Sequence, residues 1–207
     1  LNKIAAQHQH RGENEQAEKL YSNVIEEFEE SLGTEHPEMV GIMENLGTIY
    51  RRQERWDDAK KNEIKVIEMK ERILGPEMPG TLSSIDTLGL VLGHLGQWKE
   101  AGDLHKRAWE GRIKVLGPQH PHTLTSQANL ATAYHKQGRC SEAQRLISSV
   151  FMDRQRLLAA DHPDTMAAMK SLAIMHYESG NKLQGRALMK DCANVYALVL
   201  GKENEDT

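Results

Sequence analysis

The sequence predicts an all-α protein, a solenoid of stacked antiparallel helix pairs, and three observations carry that prediction. A turn-like phrase returns every 42 residues: "LGTEHPEMV" from Leu32, "LGPEMPGTL" from Leu74, "LGPQHPHTL" from Leu116, "LAADHPDTM" from Leu158 and a degenerate "LGKENEDT" from Leu200. Between the phrases, large and small apolar residues recur at i, i+1 and i+4, which is one face of a helix. The composition also leans to helix: aromatics are 5% of the chain, and Leu, Ala, Glu, Lys, Gln and Met outnumber Val, Ile and Thr.

The first helix of each block is read from three slots in register. A large apolar slot holds Ile4, Leu46, Leu88, Leu130 and Leu172; the next slot is small (Ala5, Gly47, Gly89, Ala131, Ala173); and His8, Tyr50, Leu92, Tyr134 and His176 follow three residues later. A glycine then ends the helix at Gly12, Gly96, Gly138 and Gly180, with Glu54 as the exception. The second helix opens with a second small slot, Ala17, Ala59, Ala101, Ala143 and Gly185, and continues in amphipathic stretches such as "WKEAGDLHKRAWEGRIKVL". The small residues let the two backbones approach closely, and the bulky ones fill the space they leave.

The recurring phrase is a stop signal joined to a start signal. Its glycine (Gly33, Gly75, Gly117, Gly201) suits a left-handed cap just past the second helix. Its proline (Pro37, Pro79, Pro121, Pro163) suits the first turn of the next helix, where a missing N–H is no loss. A lone hairpin cannot bury both of its apolar sides, so the units must stack into a superhelical array with one continuous core. Propeller blades of similar period need more β-branched residues, and HEAT-type pairs give no reason for the small slots. About five units result, roughly 1–33, 34–75, 76–117, 118–159 and 160–201, in a single domain spanning 1–207. Leu1 falls inside a first helix with no initiating Met or signal peptide before it, so the chain reads as a fragment of a longer protein.

The formal net charge of −4 is mild and the basic residues are scattered, which argues against a nucleic-acid surface. The longest apolar run, "LGLVLGHLG", is too short to span a bilayer. Two distant cysteines, Cys140 and Cys192, and the lack of any Asn-x-Ser/Thr site favour a reducing, cytoplasmic setting. Both cysteines lie in slots otherwise filled by packing residues and have no paired base.

No catalytic or metal chemistry emerges. His36, His120 and His162 share one slot, but equivalent residues of stacked helix pairs sit roughly 10 Å apart, whereas zinc ligands lie within about 2.1 Å of one ion; these histidines build corners. "GNKLQGRA" at Gly180 lacks the lysine and hydroxyl of a phosphate loop and follows a helix instead of a strand. The acidic run Glu26, Glu27, Glu29 and Glu30 is a solvated helix face. The expectation is a protein that is not an enzyme, with no cofactor and no metal.

The functional signal lies on the faces of the first helices turned away from the core. At 100° per residue, the second block presents Glu44, Asn45, Thr48, Arg51 and Arg52 there. The third presents Asp86, Thr87, Leu90 and His94; the fourth Asn129, Thr132, His135 and Lys136; the fifth Lys170, Ser171 and Ile174. The slot before the large apolar residue reads Asn45, Thr87, Asn129 and Ser171, short, polar and uncharged in each, with Lys3 departing in the first block. A face that met only water would more often carry Lys or Glu, which favour helix. The competing reading is that these residues merely fit between adjacent first helices.

"NLGTIYRRQERWDDA" (45–59), "NLATAYHKQGRCSEA" (129–143) and the "LG..HP.T" joint resemble tetratricopeptide repeats of the 42-residue kinesin-light-chain type, and the resemblance covers essentially the whole chain. Similar arrays end fungal NTPase-type sensor proteins. The resemblance implies that the first helices line a concave groove and that the short polar slot contacts a bound peptide. Kinesin light chains hold acidic, tryptophan-containing peptides in a basic groove; Arg51, Arg52, His94, His135 and Lys136 partly match it, and Glu44, Asp86 and Glu178 interrupt it. The expected function is therefore a scaffold that binds an extended, acidic protein or peptide partner, with neither nucleic acid nor membrane as ligand. The alternatives are a regulatory sensor arm of a multidomain NTPase switch that contacts its own chain, and homo-oligomerisation through exposed terminal repeats.

Overall fold

The computed structural model describes residues 2–31 and 36–205, with side chains over 3–28 and 36–197. Leu1, the first joint with Gly33, and Thr207 lie outside the described residues. Among the described residues there are ten α-helices and no strand. In chain order they are α1 (Asn2–His10), α2 (Asn14–Ser31), α3 (Pro37–Arg52), α4 (Trp56–Ile73), α5 (Pro79–His94), α6 (Trp98–Leu116), α7 (Pro121–Lys136), α8 (Cys140–Leu158), α9 (Pro163–Glu178) and α10 (Lys182–Glu205). The fold class is the all-α solenoid of antiparallel helix pairs, and no helix among the described residues is long and apolar enough to cross a membrane.

The chain divides into two compact units, Leu1–Gly111 and Arg112–Thr207. In the first, Ala5, Ala17, Tyr21, Val24, Ile42, Leu46 and Ile49 form one cluster, Met39, Val40, Met43 and Val66 a second, and Ile67, Leu82, Ile85, Leu88, Leu92, Ala101 and Ala108 a third. In the second, Leu124, Ala131, Ala143, Ile147, Val150, Ala168, Leu172 and Met175 form the main core, and Cys192 packs on Met166 and Met169. The small slots are what bring paired helices together. A Cβ built on Gly89 would stand 2.6 Å from the His105 ring, and one on Gly185 2.8 Å from the Ala173 carbonyl oxygen.

The turn inside each pair is a Schellman cap. In the third pair, the Gln97 N–H donates to the Leu92 carbonyl at 2.8 Å and the Gly96 N–H to the Gly93 carbonyl at 3.0 Å, with Gly96 at φ 75°. Glu54, where the glycine is missing, adopts the same left-handed backbone at φ 58°. The residue after the turn folds back over the helix it leaves: the Arg55 guanidinium lies 4.6 Å from the Tyr50 ring centroid and that of Arg139 3.6 Å from Tyr134.

The joints between pairs follow the stop-and-start reading. Pro37, Pro79, Pro121 and Pro163 each begin a helix, and Gly75 (φ 105°) and Gly117 (φ 90°) take left-handed caps. The Thr81 hydroxyl donates to the Gly75 carbonyl at 2.8 Å and Thr123 to that of Gly117 at 2.9 Å. His36, His120 and His162 cap the following helices, their Nδ1 atoms accepting from the N–H groups of Glu38, His122 and Asp164. The fourth joint differs. Ala159 replaces glycine at φ 76°, ψ 168°, and the buried Thr165 hydroxyl has no partner. The last joint also departs from expectation, because α10 runs through Gly201 to Glu205 instead of stopping there. Asn204 and Glu205 stand where a His-Pro or, at the second joint, the Met78-Pro79 pair stands, so no proline forces a break.

Candidate functional site

The expected binding residues fall on α3, α5, α7 and α9, and except for Asp86 they stay at least partly exposed. In the first unit α3 and α5 bring Glu44, Thr48, Arg51, Ser83, Ser84 and Thr87 around a cleft of about 170 Å³, with Glu63 of α4 at its floor. Arg51 Nη1 donates to Glu63 Oε1 at 2.6 Å and Arg51 Nη2 to the Thr48 hydroxyl at 3.0 Å. Burial pushes the Glu63 carboxyl above the ordinary carboxylate value, more strongly than the Arg51 charge pulls it down. The cleft therefore holds its own ion pair, buried on the Glu63 side and partly exposed at Arg51, beside the hydroxyl oxygens of Thr48 and Thr87.

Those hydroxyls are half committed. Thr48 and Thr87 donate to the carbonyls of Glu44 and Ser83, four residues back, so toward a ligand their oxygens act as acceptors. Thr132 does the same toward Ala128 in the second unit. Asn45 is half-buried, and the Tyr21 phenol, whose ionisation burial pushes up, donates to Gln9 Oε1 at 3.0 Å. Gln9 Nε2 of α1 in turn donates to the Asn45 main-chain carbonyl at 3.5 Å.

The charges are distributed differently from their appearance in sequence. Asp86 is buried, and its Oδ1 lies 2.6 Å from His105 Nδ1 in an equally buried pair. Glu44 pairs with Lys70 at 2.5 Å. His94 stacks on Trp56 with ring centroids 3.9 Å apart, and Leu90 is exposed. In the second unit, His135 meets Glu178 at 2.6 Å, while Lys136 and Lys170 extend into solvent. Ser171 and Ile174 are half-buried beside them on α9. Arg52 is exposed and donates to the Gln9 carbonyl at 3.5 Å.

Periodicity on the first helices did not point to the buried polar residues of the second helices. Lys70, Arg112 and Arg154 are each buried, and each donates to a carbonyl in the first turn of the next first helix: Gly80 at 3.0 Å, His122 at 3.0 Å and Asp164 at 3.1 Å. The signal was available, since the three share one slot of the 42-residue register. Among the described residues no group of three His, Cys, Asp or Glu side chains is placed to hold a metal ion.

The sequence profile of the tetratricopeptide repeat family matches residues 1–72 and 81–148, and the chain belongs to that family. Tetratricopeptide repeats are typically non-catalytic, and the chain is a protein–protein interaction scaffold of this class. Comparison with curated proteins found no match. Among solved structures, a point variant of a Podosopora anserina protein of nearly identical TPR-like repeats, provisionally assigned as a kinesin light chain, is 25% identical. It superposes with a TM-score of 0.84 over 96% of this chain and 94% of that one. BtubC (BKLC) of P. vanneervenii is 19% identical, with a TM-score of 0.82 over 96% and 79% of the two chains. A signal transduction ATPase with a tetratricopeptide repeat sensor from Pyrococcus horikoshii is 12% identical, with a TM-score of 0.69 over 93% of this chain and 29% of that one. At those identities the last two share the fold alone.

Proposed function

We propose that the outward faces of α3 and α5, and separately those of α7 and α9, hold extended acidic segments of a partner protein. The observation that carries this reading is the cleft between α3 and α5, where Thr48 and Thr87 offer acceptors to a peptide N–H and Arg51 lies alongside. Exposed Arg52, Lys136 and Lys170, which form no ion pair among the described residues, supply attraction for carboxylates at the edges of these faces. Leu90 gives the first face an exposed apolar contact.

Fluorescently labelled octaglutamate, titrated by anisotropy at low salt, tests the reading. Arg52→Glu and Lys136→Glu, measured singly, are each expected to weaken binding about threefold, and added salt should weaken it in the unaltered chain. Unchanged affinity in both variants, or no binding at all, would overturn it.

A further inference from the structure

Lys70 and Arg154 occupy the same position two repeats apart, and their surroundings differ in one respect. All three donors of the Lys70 ammonium are satisfied: by the Gly80 carbonyl at 3.0 Å, the Ser84 hydroxyl at 2.9 Å and the Glu44 carboxylate at 2.5 Å. Arg154 keeps the carbonyl, that of Asp164 at 3.1 Å, and finds the Thr125 hydroxyl at 3.2 Å. At the positions of Glu44 and Ser84, however, the second unit carries Ala128 and Ala168.

The result is a buried arginine, 6% exposed, with no carboxylate in contact among the described residues. The Asp164 charge acts on it at longer range, and burial holds its pKa below the ordinary guanidinium value. An internal cation without a countercharge is costly to bury, and loss of one partner from such a pair is among the more destabilising changes a protein can carry. Two neutral acceptors engage only part of a five-donor group whose planar fork matches a carboxylate. Ala128 is partly buried on α7, the helix that also bears Thr132 and Lys136, and Glu44, its counterpart in the first unit, keeps a side chain 46% exposed.

We propose that Arg154, positioned by the Thr125 hydroxyl that itself donates to the Pro121 carbonyl at 3.0 Å, is a receptor for one carboxylate side chain of an acidic partner segment lying along α7 and α9. The incoming group takes the place that Glu44 fills for Lys70, and the anion that neutralises the buried cation comes from the ligand. This rests on the peptide-binding reading above and adds to it a particular subsite, set on a second helix beneath the face.

Two variants test the subsite with labelled octaglutamate as the probe. Arg154→Met removes the fork and keeps the bulk; Ala128→Glu installs the internal countercharge that Glu44 provides in the first unit. Both are expected to weaken octaglutamate binding about tenfold, and Ala128→Glu should also raise the melting temperature by about 2–4 °C by pairing Arg154. If the unaltered protein binds octaglutamate and both variants bind it equally well, the subsite is overturned and the broader reading stands. If the unaltered protein does not bind octaglutamate, both fall. Thermal stabilisation by inorganic phosphate, at ionic strength matched with chloride and without peptide binding, would assign Arg154 to a free anion and overturn the proposal.

Discussion

Glu63 shows how one side chain can be held in a state it would not choose in water. It is 3% exposed and packs against Gly47 of α3, where a Cβ would stand 3.1 Å from its Oε1. The missing side chain makes the space, and Arg51 supplies the countercharge at 2.6 Å. Burial still wins, and the carboxyl keeps its proton to a higher pH than in the unfolded chain. The folded state therefore binds more protons, so this group's contribution is fully present below the ordinary carboxylate value and is lost as pH rises through the folded value. Glu63→Gln does not titrate. Thermal melts from pH 4 to pH 7 should show the wild type losing stability relative to Glu63→Gln as pH rises; parallel profiles would contradict the assignment.

Among the elements, the joints differ in quality although they share a plan. The α6–α7 joint combines a left-handed cap, a threonine hydroxyl on the cap carbonyl and an imidazole capping the helix that proline begins, and the α4–α5 joint keeps the first two with Met78 in place of the imidazole. At the α8–α9 joint Ala159 sits in a backbone region essentially reserved for glycine, and Thr165 has lost its acceptor. Ala159→Gly is expected to stabilise the chain by about 1 kcal/mol, or about 2–4 °C in melting temperature; calorimetry of the two forms decides it. This element logic was legible because it is local. Gly12, Gly96, Gly138 and the four prolines state their backbone requirements without reference to the rest of the chain. The site was less legible, because its chemistry depends on which helix a polar residue meets. Asp86 and Glu44 read alike in sequence, yet Asp86 is buried on His105 and Glu44 reaches Lys70. Arg154 could be aligned with Lys70, but that Ala128 leaves it without a carboxylate follows only from the contact between α4 and α3 that the first unit reveals.

At the scale of the whole molecule, the stacking of pairs makes stability a sum of neighbour contacts, so elements with few buried groups open first. The described side chains of α10 include only Gly185 and Cys192 as fully buried, while Leu183, Met189 and Tyr196 are exposed. Amide hydrogen exchange should therefore be faster along α10 than along α7 and α8, and equal protection across these helices would mean that another surface covers α10. The repetition of one corner has a further consequence. A copying slip in the coding sequence that duplicates or deletes 42 codons changes the array by one whole unit and leaves each remaining end with a matching neighbour, whereas a slip of 41 or 43 rotates every later side chain about its helix axis. Lineages carrying such arrays should thus differ in length by multiples of the period, lengthening or shortening their partner-facing surface in steps.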